Sequence, residues 1–89
     1  MTAYTVKDWF ANKVANEVGK NITMCEVFAI LKETEKAVYA LLNLGCDSRK
    51  TMWVPKSVLV DIESNYPVVR TDDYEAAVEA FKAHWAMFR

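Results

Sequence analysis

Two apolar runs, residues 24–32 and 36–44, flank the charged turn Glu33-Thr34-Glu35, and this pair limits the fold more than any other feature of the chain. Both runs are rich in Val, Ile, Phe, Tyr and Leu, so they read as the strands of an antiparallel hairpin. The turn has no Asn-Gly or Asp-Gly, which leaves its type open. Pairing that is symmetric about Thr34 and Glu35 puts Cys25, Val27, Ala29 and Leu31 on one face, opposite Leu44, Leu42, Ala40 and Val38. The other face holds Glu26, Phe28, Ile30 and Lys32 against Asn43, Leu41, Tyr39 and Ala37. A sheet with one wet face alternates apolar and polar residues. Here the first face is apolar throughout and the second is apolar in its middle, so both need cover. A slip of one residue would exchange the faces.

Two amphipathic helices can supply that cover. Val6, Trp9/Phe10, Val14 and Val18 recur at three- and four-residue steps, which predicts a helix over 5–18. Thr5 is the expected cap, with Asp8 in the capping-box position and Gly19 as a left-handed stop. Tyr74, Val78, Phe81, Trp85 and Phe88 form a second stripe, over 72–88. There Asp72 is the expected cap, and Asp72, Asp73 and Glu75 suit the positive end of the helix dipole, while Lys82, His84 and Arg89 suit its negative end. Between hairpin and last helix, 45–50 reads as a polar loop and 51–54 as a third strand stopped by Pro55. Residues 58–62 read as a strand or a single helical turn, and 63–70, with Pro67, as a loop or extended connection. The expected architecture is a single α+β domain over residues 1–89 in the order α-β-β-β-α. Its antiparallel sheet has about three strands, flanked by N- and C-terminal helices.

Composition narrows the partners. The chain has 89 residues, 53% hydrophobic and 26% charged, with a net charge of −1. That length suits one domain with a thin core. Residues 1–60 carry eight Lys/Arg against six Asp/Glu, whereas 61–80 carry six acidic residues against Arg70 alone. No global basic field draws the chain to DNA or an anionic membrane. Without a signal-peptide pattern or a long apolar span, the expected setting is cytoplasmic. Cys25 and Cys46 lack zinc or disulfide-framework spacing, and His84 has no ligand cluster around it in the sequence. The carboxylate pairs Asp72–Asp73 and Glu33/Glu35 are explained by a cap and a turn. With no nucleophile–base pair and no glycine-rich phosphate loop, the expectation is a non-enzyme without cofactor or metal.

Two surfaces remain as candidates for contact. The first combines Phe28, Ile30, Tyr39 and Leu41 on the hairpin's second face with Glu33 and Glu35 in the turn and Asp72, Asp73, Glu75 and Glu79 on the last helix. If both helices cover one face of the sheet, the apolar part of this set is left for a partner or for a second copy in a homodimer. If one helix covers each face, it is not. The second candidate is Trp53 with Arg49, Lys50 and Lys56, a pairing suited to stacking a base and holding a phosphate of single-stranded nucleic acid.

The stretches LKETEKAVYALL at 31–42 and TMWVPKSVL at 51–59 resemble a group of small proteins encoded by bacteriophages and mobile elements. Their recurring pattern is a strand with TEKAV, a loop, then W-(I/V)-P-K-S, matched here by Glu35, Lys36, Ala37, Val38, Trp53, Val54, Pro55, Lys56 and Ser57. The resemblance spans about a third of the chain. It implies origin rather than activity. By analogy of size and origin, it implies a stoichiometric inhibitor of a host protein complex, of the anti-CRISPR or other anti-defence kind. An accessory module that binds nucleic acid is the rival reading.

Overall fold

The structure, a computed structural model, describes residues 2–19, 22, 24–45, 48–63 and 68–87. Strand β1 (Thr2–Val6) leads into helix α1 (Asp8–Val18). Strands β2 (Glu26–Glu33) and β3 (Ala37–Gly45) form the expected hairpin, and β4 (Ser48–Pro55) follows. A single 3-10 turn over Lys56–Val58 joins β4 to β5 (Leu59–Glu63). The short β6 (Val69–Arg70) precedes helix α2 (Tyr74–Ala86).

The chain is α+β, but among the described residues the sheet has six strands, which corrects the expectation of about three. Its order is β4-β3-β2-β1-β5, with β6 added beside β2. All pairings are antiparallel except β2 with β6. The N-terminal segment is a strand before it is a helix. Thr5 pairs within β1, and its hydroxyl donates to the Cys25 carbonyl at 2.9 Å rather than capping α1. Lys7 takes the N-cap position without a side-chain cap bond. At the other end Gly19, at φ 76°, closes the helix as expected, its N–H bonding the Ala15 carbonyl.

The sheet has to curl. A flat sheet would hold the edge strands β4 and β5 four spacings apart, about 19 Å. The link from Pro55 to Leu59 can span at most about 14 Å even when extended, and here it is wound into a 3-10 turn. The Lys7 N–H bonds the Val58 carbonyl at 3.0 Å, fastening the corner to β1.

β2 changes neighbours along one edge. β1 pairs only with its Glu26 and Val27, and β6 takes over at Ala29 and Ile30. A register shift against β3 falls between Val27 and Ala29, and a second between Ile30 and Lys32. Each extra residue in β2 inverts which side the following residues face. Val38, Ala40, Leu42 and Leu44 on β3 face one side, with Cys25, Val27 and Ile30. Ala29 and Leu31 instead join Leu41 on the other. The expected second face of Phe28, Ile30, Tyr39 and Leu41 is therefore not one surface.

One helix covers each side. Phe10 and Val14 of α1 pack on the first side with Val6, Val54 and Val58. Ala77 and Phe81 of α2 pack on the second, where Phe81 meets Phe28 edge-on at 5.4 Å. The cap of α2 is Asp73 rather than Asp72: its Oδ1 accepts from the N–H groups of Glu75 (3.0 Å) and Ala76 (3.4 Å). No helix among the described residues is long and apolar enough to cross a membrane.

Candidate functional site

β4 is an edge strand, bonded to β3 on one side only among the described residues. Its Thr51, Trp53 and Val54 favour a pleated, half-buried surface. Strand alternation sends Arg49, Thr51 and Trp53 to the α2 side and Lys50, Met52 and Val54 to the α1 side. Val54 is fully buried there. Trp53 is 46% exposed, and its ring lies 5.2 Å from that of Tyr39, its cross-strand partner. Such pairs stabilise neighbouring strands. Here the pair also leaves an aromatic ledge open beside the outermost strand.

The side chains of Arg49, Lys50 and Lys56, expected to form a basic patch with Trp53, are not brought together into one patch. The Arg49 guanidinium sits 5.8 Å from the centroid of the Phe81 ring, on the α2 side. Lys50 points the opposite way and its Nζ lies 3.9 Å from Glu17 on α1. Lys56 is bound at 2.7 Å by Glu33. Alternation along β4 separates Arg49 from Lys50, and Lys56 already lies in the 3-10 turn beyond the strand.

Glu33 anchors a second feature. At the end of β2, its carboxylate accepts from Lys56 Nζ and, at 3.3 Å, from Arg70 of β6. The hydrogen bond and charge of Lys56, then those of Arg70, hold its carboxyl below the ordinary 4.5. The ion pairs border a groove of about 280 Å³ between Tyr4 and Leu59, with Asp61 on its rim. Glu35 is exposed in the adjoining turn, where the Thr34 hydroxyl accepts from the Ala37 N–H at 3.1 Å.

Of the other proposed contact residues, Leu41 is fully buried and Ile30 is 6% exposed, on opposite sides of the sheet, so neither offers surface. Phe28 is half-buried under α2. One helix lies on each side of the sheet, α2 against Phe28, Tyr39 and Leu41 and α1 on the side of Ile30, so the alternative in which both helices share a side is not the one adopted. Asp72, Glu75 and Glu79 are exposed around the start of α2, whereas Asp73 is committed to its cap. His84 is half-buried, its ring 5.5 Å from Phe28.

Cys25 is buried beside a hollow of about 430 Å³ under α1, bordered by Asp8, Ala11 and Asn12. Burial, and then the charge of Glu26, push its thiol up to about 11, so at neutral pH it stays protonated and a weak nucleophile. Cys46 and Phe88 lie outside the described residues. No three His, Cys, Asp or Glu side chains gather into a metal-binding group among the described residues.

The stripe reading of α1 missed one exposed aromatic. Trp9 is 59% exposed, while Phe10 beside it is 2% exposed. Consecutive helical residues differ by about 100° in direction, so only one of the two can face the core, and the other was a surface residue from the outset.

No family model matches the sequence, and no curated protein and no solved structure matches it either.

Proposed function

We propose that this chain is a binding protein that acts stoichiometrically on a host protein complex, in the manner of the anti-CRISPR and other anti-defence inhibitors of phages and mobile elements. The observation that carries the reading is the Tyr39–Trp53 pair, an exposed aromatic ledge on the open edge strand β4. Trp and Tyr are over-represented among the few residues that dominate binding energy at protein interfaces. The ledge is rigid, because Tyr39 packs against the cluster under α2 and the Trp53 ring leans on it at a 48° tilt. A rigid anchor loses little entropy on binding. The acidic start of α2, with Asp72, Glu75 and Glu79, adds a charged region that suits a cationic partner surface.

The test compares two exposed tryptophans. Tagged wild-type chain, Trp53→Ala and Trp9→Ala are used to capture proteins from a bacterial host lysate, with melting temperatures checked to be alike. The expected result is a partner retained in near-equal molar amount by wild type and Trp9→Ala and lost with Trp53→Ala. Equal capture by all three chains, or none by any, would overturn the reading.

A further inference from the structure

The open edge of β4 has a backbone pattern that decides what it can bind. The Lys56 N–H bonds the Lys36 carbonyl at 2.8 Å, continuing the register in which Ala37 faces Pro55. Antiparallel strands alternate between residues that bond their partner and residues whose N–H and C=O point away. Lys56 therefore fixes Val54, Met52 and Lys50 as the residues bonded to β3. Arg49, Thr51 and Trp53 turn their backbone groups outward, and Pro55, which has no N–H to offer, sits at the outward position that closes the row.

We propose that this edge takes an extended, acidic segment of a partner protein as an added strand of the sheet. The inference rests on the reading of the chain as a protein-binding module and names the chemistry of the partner. Main-chain bonds to Arg49, Thr51 and Trp53 supply affinity, and side chains on one face of the added strand lie beside the Arg49, Thr51 and Trp53 side chains. From Ser48 to Val60 the sequence holds Arg49, Lys50 and Lys56 and no acidic residue, within a chain of net charge −1. Arg49 has no carboxylate partner among the described residues, and it stands on the same face as the exposed Trp53. A carboxylate four residues from an apolar side chain on the incoming strand meets both.

Single-stranded nucleic acid fits less well. It needs several cations along a backbone track, whereas Lys50 and Lys56 are turned aside to Glu17 and Glu33. An added strand needs only one favourable charge, because backbone pairing does the rest. A second copy is the other competitor, since β5 carries Asp61 and Glu63 at the opposite edge of the sheet.

The probe is a fluorescein-labelled synthetic peptide, eight residues long like β4, with Glu and Val four residues apart on one face and Thr at the positions between them. Binding is followed by anisotropy and by amide resonances of the labelled chain. The expected result is saturable binding below about 1 mM, with the Thr51 and Trp53 amides shifting most. Thr51→Pro removes an outward donor and leaves the bonds to β3 in place, and it should weaken binding about tenfold. Should Thr51→Pro misfold, Arg49→Glu serves instead: about a fivefold loss is expected, with preference moving to the same peptide carrying Lys for Glu. No binding up to about 1 mM overturns the proposal. So does equal affinity for the Lys peptide, tighter binding of oligo-dT, or light scattering showing self-association that Thr51→Pro abolishes. If these fail while Trp53→Ala still loses the captured host protein, protein binding stands and only the added-strand mode falls.

Discussion

The two sides of the sheet are built differently. On the α1 side a continuous core runs from Val6, Phe10 and Val14 through Val27 and Leu42 to Val54 and Val58, and so joins β1, α1, the hairpin, β4 and the 3-10 turn. On the α2 side, Ala77 and Phe81 rest on a smaller cluster of Ala29, Leu31 and Leu41. α1 follows strand β1 directly, whereas α2 is preceded only by the two-residue strand β6. The difference teaches that equal burial need not mean equal consequence. Phe10 and Phe81 are 2% and 1% exposed, yet one belongs to the frame and the other to a cover.

Paired truncations break or sharpen this contrast, and they carry the largest expected effect. Removing a buried Phe side chain costs about 3–5 kcal/mol, most of the stability of a small domain. Phe10→Ala should unfold the whole chain, with loss of the cooperative thermal transition by about 37 °C. For Phe81→Ala the expected damage is confined: α2 undocks, and β2 and β3 remain protected. Hydrogen exchange resolves the two. Loss of protection in β2 and β3 alongside α2 would make the sides one cooperative unit and end the distinction.

Cys25 reports on the α1 side from within. Its folded thiol titrates at about 11 against an ordinary 9.0. At mildly alkaline pH the native thiolate fraction is thus about a hundredfold below that of a free thiol. Alkylation followed by site-resolved mass spectrometry should be slower by about that factor in the wild type and in Phe81→Ala, and fast in Phe10→Ala. The linkage has a definite sign, because the folded state keeps its proton to higher pH than the unfolded one. Stability falls as pH rises from 9.0 toward about 11. Fast alkylation in the native chain would mean that the hollow beside α1 admits reagent freely.

The sequence made some of this architecture legible and hid the rest for physical reasons. Phe81 and Trp85 lie on the stripe that spacing predicts, and Gly19 stands where a left-handed stop is needed. β3 was also readable, since Val38, Ala40, Leu42 and Leu44 do share a side. β2 was not. Val27, Phe28, Ala29, Ile30 and Leu31 are apolar at every position, so no alternation marks the shifts at Val27/Ala29 and Ile30/Lys32. The end of β1 looks like the start of the helix because Val6 continues the period of Phe10 and Val14, although Thr2, Tyr4 and Val6 also suit a strand. β6 depends on distant pairing with Ala29 and Ile30 and has no local signature. The candidate site was half visible. Trp53 stands out in the sequence, but the polar composition of 45–50 looks like a loop and hides that Arg49 and Lys50 belong to β4 and point to opposite sides.

The smallest expected effect lies where the two sides are tied together. Glu33 ends β2 and holds Lys56 of the 3-10 turn and Arg70 of β6, so it couples the corner of the sheet to the segment that leads into α2. All three side chains are substantially exposed, and solvent screens such pairs. The carboxyl is nevertheless held below the ordinary 4.5, so its contribution is present above that value and is lost as pH falls through the lower, folded one. Glu33→Gln should therefore melt slightly below wild type at about pH 7, and the two curves should converge once pH falls well below 4.5. Salt near 1 M should narrow the gap. Exchange measurements give the contrast its finest test. If Glu33 fastens the cover to the frame, the added exchange in Glu33→Gln falls on β6 and α2 while β1 and α1 keep their protection. Uniform loss across the chain would place Glu33 in the frame instead, and an unchanged melting curve at neutral pH would show both ion pairs to be idle.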